Sequence, residues 1–118
     1  MKAVLALFAA TGLATTSAAA TELRLPIPGN APVETIAAAY DCGAKGKLAA
    51  TYVNSGPNTL ALVPVEGQTL VFVTVLSGSG ARYASGPWIW WTKGPTATLT
   101  DERAPDAAPV MQCEKVGG

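Results

Sequence analysis

The sequence predicts an all-β domain, a small eight-stranded antiparallel β-barrel with one disulfide. Three observations predict it. Short runs rich in β-branched and aromatic residues recur roughly every ten residues. Clusters of Gly, Pro, Asn and Ser separate them. No segment approaches the roughly ten residues that a stable helix needs, the longest candidate being residues 37–39 with their neighbours. Eight short strands with hairpin-length links fit a closed barrel or a small sandwich, and closure is preferred because it leaves no strand edge exposed.

Along the chain, residues 1–20 read as a secretory signal. Lys2 is a minimal basic region, residues 3–13 form a short apolar stretch, and Ser17-Ala18-Ala19-Ala20 is a small-residue cleavage site that predicts Thr21 as the mature start. An N-terminal core helix is the competing reading, but this Ala- and Thr-rich run has no polar helical face. The stretch is too short to cross a bilayer comfortably. No cysteine follows it to take a lipid, so the expectation is a soluble protein of the periplasm without a membrane anchor.

Residues 21–35 contain Pro26, Pro28, Gly29 and Pro32, which fix φ or withhold backbone donors, and so form an extended arm. Residues 36–118 are the barrel domain. Its candidate strands are 36–42, 48–53, 59–63, 68–76, 81–84, 88–92, 96–100 and 110–114. Residues 70–76 are apolar on both parities, so this strand is either covered on both faces or presents an unusually apolar outer surface, and it is expected at the centre of the sheet. Residues 101–109, polar and bearing Pro105 and Pro109, form a loop before the last strand.

Composition closes several function classes. The chain of 118 residues has 8 Lys plus Arg, 8 Asp plus Glu and no histidine. Without Lys2 the mature chain carries 7 basic and 8 acidic groups, a net charge of −1. That balance lacks the basic footprint of a nucleic-acid binder. Without imidazole there is no Ser/His/Asp or Cys/His activation and no His-ligated zinc or haem, and no metal or other cofactor is expected. The two cysteines, Cys42 and Cys113, read as a disulfide in an exported chain. A free reactive pair is the alternative, disfavoured because neither belongs to a Cys-x-x-Cys motif.

The segment that could carry chemistry runs from Ser77 to Gly94. With the turn near Ser85 and Gly86, Ser79 faces Thr92 or Lys93, and Ala81 faces Trp90 or Trp91. A hydroxyl and an ammonium then share one end of a hairpin, each beside glycines (Gly78, Gly80, Gly94) that admit a close partner. A Ser/Lys dyad would need a desolvated lysine, and nothing in the sequence buries Lys93, so an enzyme is not expected. Two ordinary turn residues are the bland reading. Recognition of carboxylates on a partner is the third. Alternation places Trp88 and Trp90 on one face and Ile89 and Trp91 on the other, making Trp91 a candidate outward anchor or sugar platform. Tyr83 supports the hairpin, Arg82 is the other nearby base, and Tyr40 and Tyr52 carry no special signal.

At these residues the chain resembles the MliC/PliC family, the membrane-bound and periplasmic bacterial inhibitors of c-type lysozyme. The matching pieces are Tyr40-Asp41-Cys42, Ser79-Gly80-Ala81-Arg82-Tyr83, Trp90-Trp91-Thr92-Lys93-Gly94, Ala97-Thr98-Leu99 and Cys113. The resemblance implies an eight-stranded antiparallel barrel, a loop that enters the lysozyme cleft, Ser79 and Lys93 as the contacts to the catalytic carboxylates, and a Cys42–Cys113 bridge. Gly80, Arg82, Tyr83, Trp91 and Gly94 complete the expected lysozyme-binding set. The chain departs from the family pattern at Trp88 and Ile89, which are more apolar than the positions before the double tryptophan lead one to expect. The alternative from another class is a small envelope barrel that binds glycan or protein without inhibiting. The sequence sets no oligomeric state, and a homodimer stays open.

Overall fold

The computed structural model describes residues 2–14 and 21–117. The expected cleavage site at Ser17-Ala18-Ala19-Ala20 lies outside them. Residues 2–14 form no helix or strand and are exposed throughout. No helix among the described residues is long and apolar enough to cross a membrane.

Eight antiparallel strands close into a barrel in chain order. They are β1 (Val33–Asp41), β2 (Lys47–Ser55), β3 (Asn58–Val65), β4 (Gln68–Val75), β5 (Ala81–Ser85), β6 (Trp88–Lys93), β7 (Thr96–Asp101) and β8 (Pro109–Lys115), with a 3-10 turn at Gly43–Lys45. β1 starts at Val33, three residues before the expected boundary, because the last proline of the arm is Pro32 and every residue after it can donate to the ladder. It pairs with β2 over nine positions.

Three hairpins turn on the same dipeptide. Gly56-Pro57, Gly86-Pro87 and Gly94-Pro95 each join strands through two residues, and the glycines take φ values of 57°, 54° and 54°. Glycine supplies the positive φ of the first turn position and proline the fixed negative φ of the second, the φ signs of a type II′ turn. This corrects the expected register of the β5–β6 hairpin. The turn centres on Gly86-Pro87, so Ala81 pairs with Thr92 and Tyr83 with Trp90, and Ala81 does not face a tryptophan.

Alternation fills the barrel. Ala38, Tyr40, Ala50, Ala61, Val63, Phe72, Tyr83, Trp90, Ala97, Leu99 and Cys113 point inward and are buried. The small alanines sit among the large rings, which is how a narrow barrel reaches interior packing density. The aromatics carry their own polar chain: Trp90 Nε1 donates to Tyr52 Oη at 2.9 Å, and Tyr52 Oη and Tyr40 Oη share a hydrogen bond of 2.8 Å. Burial and the Tyr40 hydrogen bond push the Tyr52 phenol well above its ordinary value, and burial raises Tyr83 as well.

β4 is not a sheet centre, since a closed barrel has none. Phe72 is inward, while Val71 and Val73 are 41% and 48% exposed, so the doubly apolar run gives the barrel an apolar outer face. Beside that face the arm places Leu23, Leu25 and Ile27 along a cleft shared with Val53, Leu60, Leu62 and Val71. The closing seam is narrow, since β1 meets β8 at only two pairs, Tyr40↔Lys115 and Asp41↔Glu114. The Cys42–Cys113 disulfide staples that seam.

Candidate functional site

Antiparallel order brings the β4–β5 connection and the β6–β7 turn to the same end of the barrel. The connection, residues 76–80, is irregular, and the turn follows Lys93. Ser79 and Lys93 are both exposed and lie just past the last β5–β6 pair, Ala81↔Thr92. They are thus neighbours through loop folding and not, as expected, as partners in a ladder.

The loop is shaped by its own residues. Ser77 Oγ donates to the carbonyls of Ser79 at 3.2 Å and Gly80 at 3.0 Å. Trp91 Nε1 donates to the Ser79 carbonyl at 2.9 Å. Gly80 has φ +64°, and a Cβ there would lie 2.2 Å from the Thr92 carbonyl oxygen and 2.8 Å from Lys93 Cγ. Only glycine allows the loop to rest directly on the stem of Lys93. Gly94 also has a positive φ, +54°, but open space around it, so the turn chemistry alone requires it.

Among the described residues no hydrogen bond engages Ser79 Oγ, and no carboxylate lies within ion-pair distance of Lys93. The Lys93 ammonium instead rests 4.0 Å from the centroid of the Trp91 ring. Arg82 also reaches that ring, at 5.9 Å, and pairs loosely with Glu102 at 3.6 Å. Among the described residues the rim therefore presents a hydroxyl without a hydrogen bond and a cation without a carboxylate partner. Such a pair can recognise carboxylates.

Other expected site residues fall out differently. Tyr83 turns into the barrel with 6% of its surface exposed, so it is a support of the hairpin and not a contact on the rim. Trp88 and Ile89 are buried at 9% and 7%, so their apolar character serves packing within this chain. Arg103 covers the Trp88 ring at 5.5 Å and makes two bonds to the Asp101 carboxylate, whose pKa is lowered by those hydrogen bonds. Two features escaped sequence reasoning. Leu76, assigned to a strand, stands at the base of the Ser79 loop with 94% of its surface exposed. The Tyr40–Tyr52–Trp90 chain was also missed, though the inward parity of all three residues was its available signal.

Comparison with known proteins places these features in context. A family model described as "Membrane-bound lysozyme-inhibitor of c-type lysozyme" matches residues 40–108. A membrane-bound lysozyme inhibitor of C-type lysozyme from Pseudomonas aeruginosa is 50% identical over 76 residues, which are 64% of this chain and 60% of the relative. One from Cupriavidus necator is 41% identical over 73 residues, covering 61% of this chain and 58% of the relative. The chain thus spans about three fifths of the length of these curated relatives. Among solved structures, Pseudomonas aeruginosa MliC in complex with hen egg white lysozyme superposes with a TM-score of 0.68 at 42% identity, over 82% of this chain and 98% of that one. PliC of Salmonella typhimurium, a periplasmic lysozyme inhibitor, shares the fold at 24% identity and a TM-score of 0.59, over 70% of this chain and 99% of that one.

Proposed function

This chain belongs to the MliC family of lysozyme inhibitors, and on that premise we propose that it is an exported, non-enzymatic inhibitor of c-type lysozyme, secreted to the periplasm. It blocks the active-site cleft with the Ser79 loop and the Lys93 turn. A glycosidase of this type works with two carboxylates, one protonated as acid and one ionised. The Lys93 ammonium suits the ionised group, and Ser79 Oγ can donate to one carboxylate oxygen or accept from the protonated acid. Leu76 adds an apolar contact at the loop base, and Gly80, Arg82, Trp91 and Gly94 shape the rim around the two polar groups.

The observation that carries this reading is an exposed cation and an exposed hydroxyl at the same end of the barrel, neither with a hydrogen bond or ion pair among the described residues, with the Ser79 loop hydrogen-bonded to Trp91 and packed on the Lys93 stem. A net charge of −1 on the mature chain gives little long-range steering, so affinity comes from local fit. A glycan platform at Trp91 is less favoured because Lys93 already lies over the indole.

The test is a turbidity assay of cell-wall lysis by hen egg white lysozyme with the purified mature chain. Inhibition is expected, and Lys93→Ala and Ser79→Ala should each weaken it by about 2 kcal/mol, roughly thirtyfold, as desolvated central contacts do. Undiminished lysis at micromolar inhibitor refutes the proposal.

A further inference from the structure

We infer that Trp91 is the positioning residue of this site, aligning Ser79 with Lys93 instead of touching the partner itself. The functional part of this inference rests on the inhibitory reading above. Ser79 and Lys93 belong to separate connections, and the β5–β6 ladder ends at Ala81↔Thr92, before it reaches either. Backbone pairing therefore leaves their relative placement open.

One side chain bridges the gap. The Trp91 indole N–H holds the Ser79 carbonyl at 2.9 Å, and the ring of the same side chain carries the Lys93 ammonium at 4.0 Å. Trp91 sits on the outer face of β6 directly across from Arg82, whose guanidinium also lies near the ring. The indole's single donor is already used, and cations already lie over the ring. Little of its recognition chemistry is left for a partner.

Both halves of the indole are needed. Lysine has a long, freely rotating stem, and resting its ammonium on an aromatic face reduces the freedom lost on binding. The loop carbonyl needs a donor reaching outward from β6, which no phenyl ring supplies. Ser77 fixes the loop from within and Gly80 lets it lie against the lysine stem, while Trp91 is the side chain that holds both the loop carbonyl and the lysine ammonium.

Trp91→Phe keeps a ring and deletes the donor, whereas Trp91→Leu removes both. In the free mature chain, 15N relaxation should show the order parameters of Ser79 and Gly80 falling below about 0.6 in both variants while the strands stay rigid. Against hen egg white lysozyme, calorimetric affinity should fall about tenfold for Trp91→Phe, the loss expected for one hydrogen bond. In a Ser79→Ala/Lys93→Ala background the same change should cost less than about twofold, because the groups being positioned are gone. Unchanged order parameters overturn the inference, as does a tenfold loss that persists in the double-variant background, which would mean that the indole meets the partner. If the unaltered chain does not bind lysozyme, the inhibitory reading fails, while the relaxation result still decides whether Trp91 holds the loop.

Discussion

Replacing Gly80 with alanine should damage the site more than any other single methyl group added to a turn of this barrel. The added Cβ would meet the Thr92 carbonyl oxygen at 2.2 Å, Lys93 Cγ at 2.8 Å and the Thr92 carbonyl carbon at 3.2 Å. The lysine stem can rotate away, but the backbone carbonyl cannot, so the loop must retreat by about an ångström to reach ordinary contact distance. That retreat stretches the 2.9 Å bond from Trp91 Nε1 to the Ser79 carbonyl beyond hydrogen-bonding range. Two costs follow: about 1–2 kcal/mol for an L-residue at φ +64°, and about 1 kcal/mol for the lost hydrogen bond.

Gly86 is the internal control, with φ +54°, nothing within 4 Å of its would-be Cβ, and a place at the opposite end of the barrel. Gly86→Ala should show only the backbone cost, about 1–2 kcal/mol. Urea unfolding followed by tryptophan fluorescence should therefore place Gly80→Ala about 1 kcal/mol below Gly86→Ala at equal m-value. In the lysis assay Gly86→Ala should inhibit as the unaltered chain does, and Gly80→Ala should lose at least tenfold. Equal stability of the two variants together with full inhibition by Gly80→Ala would refute the close-approach argument.

Further consequences concern the seam, the interior and the rim. Replacing Cys42 and Cys113 with serine releases a link across 71 residues of sequence, worth about 4 kcal/mol by the chain-entropy model, and unfolding should fall by roughly that amount. Hydrogen exchange should then rise first at the Val116 amide, which donates to the Ala39 carbonyl across the two-pair β1–β8 seam. Tyr52, raised above the ordinary tyrosine value chiefly by burial, contributes stability that is complete below that value, near pH 10, and is lost as pH rises through its folded pKa. Urea midpoints should decline above about pH 10, and Tyr52→Phe should flatten that decline while lowering stability near neutrality by about 1–3 kcal/mol, because Trp90 Nε1 loses its acceptor. Leu76→Ala should leave unfolding within about 0.5 kcal/mol, as expected for a fully exposed side chain, yet weaken inhibition measurably in the lysis assay.

The architecture was largely legible because alternation and turn chemistry are local signals. All eight strands occur where the runs of β-branched and aromatic residues predict them, and the parity of residues 88–91 correctly separates Trp90 from Trp91. The hairpin register differs by one or two positions because the sequence reading centres the turn near Ser85 and Gly86, whereas Gly86-Pro87 forms it and Ser85 pairs with Trp88. Of the two readings open for β4, the apolar outer surface is the one found, and the expected central position fails because a closed barrel has no centre. The sequence places Ser79 and Lys93 at one end of the barrel, but their proximity depends on Gly80 resting against Thr92, a tertiary contact that no spacing rule encodes. Tyr83 looked like a rim residue only because its neighbours in the motif are rim residues; its own parity turns it inward.

Competition with substrate tests the central claim most directly. Calorimetric titration of the mature chain into hen egg white lysozyme, repeated with the active-site cleft occupied by an N-acetylglucosamine trisaccharide, asks whether inhibitor and sugar share one site. The account predicts binding whose apparent affinity falls in proportion to the bound sugar. Undiminished affinity in saturating trisaccharide, or no binding in its absence, would contradict it.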